Sequence, residues 1–371
     1  MPVPVLDLAA EYRSLRDEID AAVARVIDRT AFVGGDEVAG FEAEFARYLG
    51  APHVVGVANG SDAIELALQA LDVGAGDAVL TVPFTFAATV EAIVRCGATP
   101  LFVDIGDDYT IDVDAAAALL AQRPVKAIIA VHLYGQPADL DRLAPLARRH
   151  GAALIEDAAQ AHGAWCTVAG ERRRVGTIGD AGCFSFYPTK NLGAPGDAGA
   201  VVTTRDDVAA RVRLIANHGE RTKYEHVIPD GRNSRLDAIH AAVLRVKLPH
   251  LDAWNGARRA VAARYTAGLA GLPVATPRER AGVEHVYHQY AVRSPHRDAL
   301  RQALTERGIG TGIHYPLPLH VQEGYRRFGY PAGTLPVSER AAVEVLSLPM
   351  SPFLGEAQVD EVIAALRAAT A

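Results

Sequence analysis

Sulfur and the bulkiest aromatics are scarce in this chain, whose 371 residues include three cysteines, two methionines and two tryptophans. Cys96, Cys166 and Cys183 are odd in number and far apart, so neither a disulfide framework nor a paired-cysteine metal site is indicated, and free thiols suit a reducing compartment. No charge-free apolar run approaches the roughly 20 residues that a membrane-spanning helix needs. Asp7 and Glu11 also fall too early for the apolar segment of a signal peptide. The expectation is a cytoplasmic protein with no membrane partner. A basic excess is missing too: the formal net charge is −7, which argues against a nucleic-acid partner, because binding phosphate backbones requires a cationic face. No Gly-x-Gly-x-x-Gly follows the first apolar run and no Walker-type lysine is present, so dinucleotide and P-loop readings weaken. The histidines offer no third ligand at sensible spacing for zinc, and no metal is expected. Internal repeats and low-complexity tracts are absent as well.

What the chain does have is length and apolar content. At 371 residues, half of them hydrophobic, two domains are the natural expectation. Leu15, Ile19, Val23 and Ile27 recur every fourth residue and predict a helix that ends near Phe32-Val33-Gly34-Gly35, with another from about Asp36. Short apolar runs then alternate with helical segments. The predicted strands are His53 to Ala58, Asp77 to Val82, Thr99 to Asp104, Lys126 to Val131, Ala152 to Glu156, Ala181 to Phe186 and Ala200 to Thr204. This alternation predicts a mostly parallel, seven-stranded sheet covered by helices, an α/β fold. Leu236, Ile239, Val243 and Leu244 keep helical spacing, and Ser234 with Asp237 reads as a capping box. Pro249 interrupts that helix, which places the boundary between a large domain, residues 1–250, and a small one, residues 251–371, near Leu248 to Asn255. The small domain reads as α+β, with a strand at Tyr287 to Val292 and helices from Arg297 and Ser338.

The chemistry concentrates around Lys190. The apolar run Phe184-Ser185-Phe186-Tyr187 precedes it and a Gly/Pro-rich loop follows, a setting in which an amine is partly desolvated yet reachable. Such a lysine has a lowered pKa and can form a Schiff base. Asp157 ends the strand Ala152 to Glu156, where ligands of open α/β sheets sit. Lysine and carboxylate together suggest pyridoxal 5'-phosphate, whose ring nitrogen needs an anionic partner. Strand, glycine turn and helix start at Asn59-Gly60-Ser61-Asp62-Ala63 make a phosphate seat. The Asp62 carboxylate is expected to turn away, leaving its N–H toward the anion. Read alone, each feature has a plainer account: a solvated loop lysine for Lys190, a helix cap for Asp157 or for residues 59–63.

Five stretches carry a resemblance over nearly the whole chain: Asn59 to Ala63, Pro83-Phe84-Thr85-Phe86-Ala87-Ala88-Thr89, Glu156-Asp157-Ala158-Ala159-Gln160-Ala161-His162-Gly163-Ala164, Ser185 to Lys190, and Gly231-Arg232-Asn233-Ser234-Arg235-Leu236-Asp237. In order and rough spacing they resemble the nucleotide-sugar aminotransferases of the DegT/StrS family. The resemblance implies the aspartate aminotransferase-like fold type I of pyridoxal-phosphate transferases. It implies Lys190 and Asp157 as catalytic residues and Gly60, Ser61, Asp62, Phe84, Asp157, Gln160, Ser185 and Lys190 around the cofactor. Phe84 would stack on the ring and Ser185 would bind the phosphate. Core packing for Phe84, a buried strand serine and a solvent-facing Gln160 are the plainer alternatives. Asn233 would reach a partner subunit's cofactor phosphate in a homodimer with shared sites, unless it caps a helix.

For an anionic nucleotide-linked keto sugar, His218, Arg221, Lys223 and Tyr224 on one loop and His314, Tyr315 and His320 on another supply donors and aromatic surface. By resemblance the amino donor is L-glutamate, pyridoxamine 5'-phosphate is the intermediate form, and two half-reactions share one site. The motif combination resembles members acting on 3-keto sugars, with a dTDP-3-keto-6-deoxyhexose favoured. The alternatives are a UDP-3-keto-N-acetylglucosamine derivative, a 4-keto sugar, or a non-catalytic regulatory relative. A dehydratase of the same fold would carry histidine in place of Lys190. Arg232 and His240 depart from the aromatic or aliphatic residue and the glutamine expected there.

Overall fold

The computed structural model describes residues 2–370. In chain order its strands are β1 (His53–Val57), β2 (Ala78–Thr81), β3 (Thr99–Phe102), β4 (Ala127–Val131), β5 (Ala153–Asp157), β6 (Trp165–Val168), β7 (Glu171–Arg174), β8 (Ala181–Ser185), β9 (Gly199–Thr203), β10 (Glu220–Thr222), β11 (Glu225–His226), β12 (Val283–Glu284), β13 (Tyr290–Arg293) and β14 (Val345–Leu348). All seven anticipated strands join one sheet in the order β1-β9-β8-β5-β4-β2-β3. Only β9 runs against its neighbours, pairing antiparallel with β1 and β8. The other six therefore point the same way, and their carboxyl ends share one edge. Strand β4 is buried along its whole length, as expected of a parallel strand covered on both faces.

Helices pack against both faces. Phe41 and Phe45, from the helix Gly35–Leu49, are fully buried against the lysine strand: Phe45 meets Phe184 and Phe186 edge-on at 5.2 and 5.4 Å, and Phe41 meets Phe186 at 5.2 Å. A second apolar cluster gathers Tyr265, Tyr290, Leu300, Leu304, Leu346 and Leu366, largely around the antiparallel pair β13–β14. Val3 belongs to it as well, because the first residues of the chain hydrogen-bond to Gly308, Gly310 and Met350. The helix Leu251–Gly268 links the clusters, burying Leu251 in the first and Val261 and Tyr265 in the second.

Three local expectations are corrected. The first helical stretch is two helices, Leu8–Ser14 and Arg16–Arg29, and it buries Leu15, Ile19, Ala22 and Val26 while Ile27 is 51% exposed. A strict four-residue repeat drifts off a 3.6-residue helix, so the stripe moves back from Val23 and Ile27 to Ala22 and Val26. Ser234 does not cap the following helix. Asp237 does, accepting from the His240 N–H at 2.8 Å, while the Ser234 hydroxyl accepts from the Ala58 N–H. The late strand begins at Tyr290 instead of Tyr287, whose positive φ of 44° is incompatible with a strand.

The aromatic layer beneath β8 gives a first prediction. Phe45→Ala empties a fully buried site and is expected to cost about 3–5 kcal/mol. Urea unfolding checks this, and a loss below about 1 kcal/mol would mean that the layer does not support β8.

Candidate active site

The shared carboxyl edge gathers most of the anticipated residues. Gly60, Ser61 and Asp62 follow β1, Phe84 follows β2, Asp157 ends β5 with Gln160 just beyond, and Ser185 and Lys190 end and follow β8. The 33 residues that separate Asp157 from Lys190 in sequence are closed because β5 and β8 are neighbours, with Asp157 opposite Cys183.

Asp157 is 6% exposed, and its carboxylate has two protein donors. Thr89 donates to Oδ2 at 2.8 Å and the Ala159 N–H to Oδ1 at 3.2 Å. Burial pushes its carboxyl up from the ordinary value, while the Thr89 and Ala159 hydrogen bonds and the charge of Lys190 pull the other way. Lys190 is half-buried, and loss of water lowers its amine to about 8 although Asp157 favours the charged form. The two groups feel each other's charge, yet among the described residues no direct ion pair joins them.

The lysine loop is braced from behind. The Lys190 N–H bonds to the Tyr187 carbonyl at 2.8 Å, and the buried Lys247 ammonium donates to the Gly193 carbonyl at 2.7 Å while paired with Glu11 at 2.6 Å. Asn191 donates to Asn255 Oδ1 at 2.9 Å and to the Val286 carbonyl at 3.1 Å, and its Oδ1 lies 3.2 Å from His288 Nδ1. His162 is wholly buried with neither ring nitrogen hydrogen-bonded to a side chain or backbone group, and burial, with Lys190, lowers it to about 3. The imidazole is therefore neutral at any physiological pH.

The turn anticipated as a phosphate seat is tight. A methyl group on Gly60 would lie 2.5 Å from Ser185 Cβ, so only glycine allows the helix Gly60–Ala70 to abut Ser185. Among the described residues, the Gly60 and Ser61 N–H groups have no partner, as the start of a helix dictates. The Asp62 N–H does not face an anion as anticipated, because the Asn59 side chain accepts from it at 2.8 Å. Two free amides and the Ser185 hydroxyl at a helix start suit a phosphate.

Around the ring space, Phe84 is fully buried with Tyr315 and Tyr109 at 6.5 and 6.1 Å. Gln160 is not solvent-facing: its Oε1 accepts from the Tyr134 N–H at 2.7 Å and its Nε2 donates to the Tyr315 hydroxyl at 3.2 Å. That leaves one Gln160 N–H and the Tyr315 proton to be donated elsewhere. His314 contacts Ser347 at 2.9 Å, and burial and Lys190 lower its pKa. His320 is corrected as a substrate ligand: it is wholly buried with Nε2 3.1 Å from Glu339. His218, Arg221, Lys223 and Tyr224 lie on or beside the exposed hairpin β10–β11 and make no hydrogen bond to the Lys190 neighbourhood within this chain. Asn233 is exposed and caps no helix. Arg232 pairs with Glu65 at 2.5 Å, and the His240 ring lies against Gly196 of the lysine loop, where an added methyl would meet it at 2.7 Å.

Sequence reasoning assigned no role to Thr85, Thr89, Asn191, His132 or Glu156. Glu156 is fully buried, and its oxygens accept from the N–H groups of Gly176, Ile178 and Gly179 at 2.6–2.7 Å. His132 Nδ1 accepts from the Ala138 N–H at 2.9 Å, so its proton is on Nε2, which donates to Glu156 at 3.1 Å. Consecutive acids at a strand end were the available signal for two environments.

A sheet with one reversed strand, a recessed lysine and a buried carboxylate on adjacent strand ends define a fold type I, aspartate aminotransferase-like transferase. The chain belongs to the DegT/DnrJ/EryC1/StrS aminotransferase family, whose pattern matches residues 13–367. It is 49% identical to the pleiotropic regulatory protein of Geobacillus stearothermophilus, over 98% of this chain and 97% of that one. It is 47% identical to the dTDP-3-amino-3,4,6-trideoxy-alpha-D-glucose transaminase of Streptomyces venezuelae, over 98% and 95%. It is 44% identical to the UDP-N-acetyl-3-dehydro-alpha-D-glucosamine 3-aminotransferase of Acidithiobacillus ferrooxidans, over 98% and 97%. The crystal structure of S. venezuelae DesV in complex with a ketimine intermediate superposes with a TM-score of 0.95 at 48% identity, covering 99% of this chain and 98% of that one.

Glu156 supplies the second prediction. Burial alone would raise its carboxyl, but the His132 bond and the backbone donors outweigh burial and hold it below the ordinary value. A depressed carboxylate contributes stability above its unfolded pKa, about 4.3, and loses it as pH falls through the folded value. Glu156→Gln is expected to cost about 3 kcal/mol or more at neutral pH, with the gap to wild type closing as pH falls below about 4. Urea unfolding across that range checks it, and a gap independent of pH would refute it.

Proposed function

We propose that this chain is a pyridoxal-phosphate-dependent sugar-nucleotide aminotransferase that moves an amino group from L-glutamate to the C3 keto carbon of a dTDP-linked 6-deoxyhexose. The observation that carries this reading is the Lys190 amine, lowered to about 8 by burial, beside the buried Asp157 carboxylate on neighbouring strand ends. The donor set fits the cofactor: Gly60 and Ser61 amides with the Ser185 hydroxyl for the phosphate, Asp157 for the ring nitrogen, Phe84 for the ring face and Gln160 as a side donor.

When bound, the pyridoxal group carries the amino nitrogen and draws electrons from the adjoining carbon. The residues of the chain do the rest. At pH 7.5 an amine of pKa about 8 is roughly one-quarter neutral, against about one part in a thousand at the ordinary value. Lys190 Nζ would hold the cofactor through its aldehyde carbon until the donor's amine displaces it, and the released amine would then take the proton from the donor's α-carbon. In the second half-reaction the same atom returns a proton to the sugar carbon. Asp157, held by the Thr89 hydroxyl and the Ala159 N–H, would pair with the protonated ring nitrogen. Phe84, Tyr109, Tyr134 and Tyr315 wall the site against water.

The C3 and dTDP preference follows the motif combination and agrees with the S. venezuelae relative. The 44% relative named for a UDP-linked 3-keto substrate supports the alternative nucleotide. Lys190 and Asp157 together favour turnover over a purely regulatory role. The enzyme is proposed to work in the cytoplasm; among the described residues no helix is long and apolar enough to cross a membrane.

We further assign the hairpin β10–β11 and Asn233 to the partner's site in a homodimer. The Tyr224 side chain is 80% exposed, and Asn233 lacks a side-chain hydrogen bond within its own chain among the described residues.

Two outcomes are expected. The pyridoxamine form incubated with 3-keto and 4-keto nucleotide sugars should regain its visible band fastest with a dTDP-3-keto sugar. A 4-keto preference would overturn the C3 assignment, and Lys190→Ala should lower kcat at least about a hundredfold. Separately, Lys190→Ala and Asn233→Ala protomers, each impaired alone, should regain activity when mixed, because one heterodimer site keeps both residues. No recovery in demonstrated heterodimers would place Asn233 in its own subunit's site.

A further inference from the structure

Asp157 does not stand alone on its strand end. Thr89, fully buried on the first turn of the helix Ala88–Arg95, donates its only hydroxyl proton to Asp157 Oδ2 at 2.8 Å. An ionised carboxylate accepts and cannot donate, so the direction of this bond is fixed. Thr85 Oγ1, 3% exposed, lies 2.9 Å from Thr89 Oγ1. With the Thr89 proton committed, Thr85 must be the donor, and the two hydroxyls form a directed chain ending on the carboxylate. Each such bond polarises the next in surroundings that hold little water. The opening of the helix adds its positive dipole end on the same side.

The inventory of acceptor sites sharpens the point. A carboxylate offers about four lone-pair sites, and among the described residues the protein fills only two, one by Thr89 and one by the 3.2 Å bond from the Ala159 N–H. Lys190, His132, Tyr315 and Cys183 are the titratable neighbours that face Asp157, and of these only Lys190 carries a cationic form there. None of them hydrogen-bonds to it. Among the described residues the hydroxyl chain is thus the only side-chain hydrogen bond that orients the group.

We propose that Thr89, backed by Thr85, is a positioning residue that fixes the Asp157 carboxylate as a one-way acceptor and reserves its remaining capacity for the protonated nitrogen of the cofactor ring. This rests on the functional reading above and goes one step deeper, from the carboxylate to what holds it. Thr89→Val keeps the shape and removes the donor, Thr89→Ser keeps the donor, and Thr85→Val removes only the second link.

The test uses the full-length protein stripped of cofactor and titrated with pyridoxal 5'-phosphate by fluorescence. The pH transition of the visible band and the kcat and KM of the loaded enzyme are followed alongside. Thr89→Val should bind the cofactor about tenfold to a hundredfold more weakly, as befits loss of a hydrogen bond to a charged group. Its band transition should move, and kcat should fall with KM for the sugar unchanged. Thr89→Ser should stay within about threefold of wild type, and Thr85→Val should fall between. Wild-type affinity and band in Thr89→Val would overturn the proposal, and so would equal damage in Thr89→Ser, which would reveal packing alone. If Thr89→Val does not fold, Thr85→Val decides: unchanged affinity and band refute the chain. A wild-type protein that binds no cofactor would instead sink the functional reading itself.

Discussion

A carboxylate stripped of water at the end of a central strand is the constraint on which the rest of the site depends. Charge in such a place is costly unless it is paired or hydrogen-bonded. Strand β5 carries two such groups in succession, Glu156 and Asp157, which the pleat sends to opposite faces. Glu156 accepts from four N–H groups, counting His132, and is held below the ordinary carboxylate range. Asp157 accepts from two and is pushed above it. One is saturated and locks the turn before β8. The other keeps acceptor capacity in reserve, which is what a group meant to meet a cationic ligand must do.

The reversed strand β9 explains how the phosphate seat reaches the lysine. Lying between β1 and β8, it lets the turn after β1 approach the end of the lysine strand, though their sequences are over 100 residues apart. Glycine permits the approach at two points. A methyl on Gly199 would fall 2.4 Å from the Asn59 carbonyl, and one on Gly60 would strike Ser185. Close backbone contact, an unpaired helix start and a hydroxyl are thereby forced into one small volume. Behind it, the Glu11–Lys247 pair and the His240 ring hold the loop from Gly193 to Gly196, so the two unexpected features of the chain's amino end and of position 240 serve the same lysine.

The large sheet was legible because parallel strands leave short apolar runs bounded by charge, and a helix start after a glycine turn leaves its own mark. Lys190, Asp157 and Gly60 could be picked out for the same reason: their chemistry conflicts with their surroundings. The buried stripe of the helix Arg16–Arg29 was misread, though the helix itself was not, because a four-residue repeat imitates a helical stripe over two turns and departs from it over four. His320 was misplaced because a histidine among prolines and leucines looks alike whether it faces a ligand or Glu339. Thr85 and Thr89 escaped notice since a threonine pair four apart, one before a helix and one on its first turn, has no compositional signal; only the position of β5 gives it a target.

The distribution of exposed apolar groups adds a last step. Tyr187 is 51% exposed and Phe86 57% exposed, one just before Lys190 and one just after Phe84, and the hairpin carries Tyr224 at 80%. Single exposed aromatics are ordinary, but here they sit on the very segments that build the site. In the single chain these side chains lie open to solvent on segments that border a desolvated amine. In the shared-site homodimer proposed above, a second copy would cover these side chains and bring Asn233 and the hairpin to the phosphate end. Closure of the site and completion of its anion-binding set would then be one event, and the low amine pKa that burial creates in one chain would be deepened by the other.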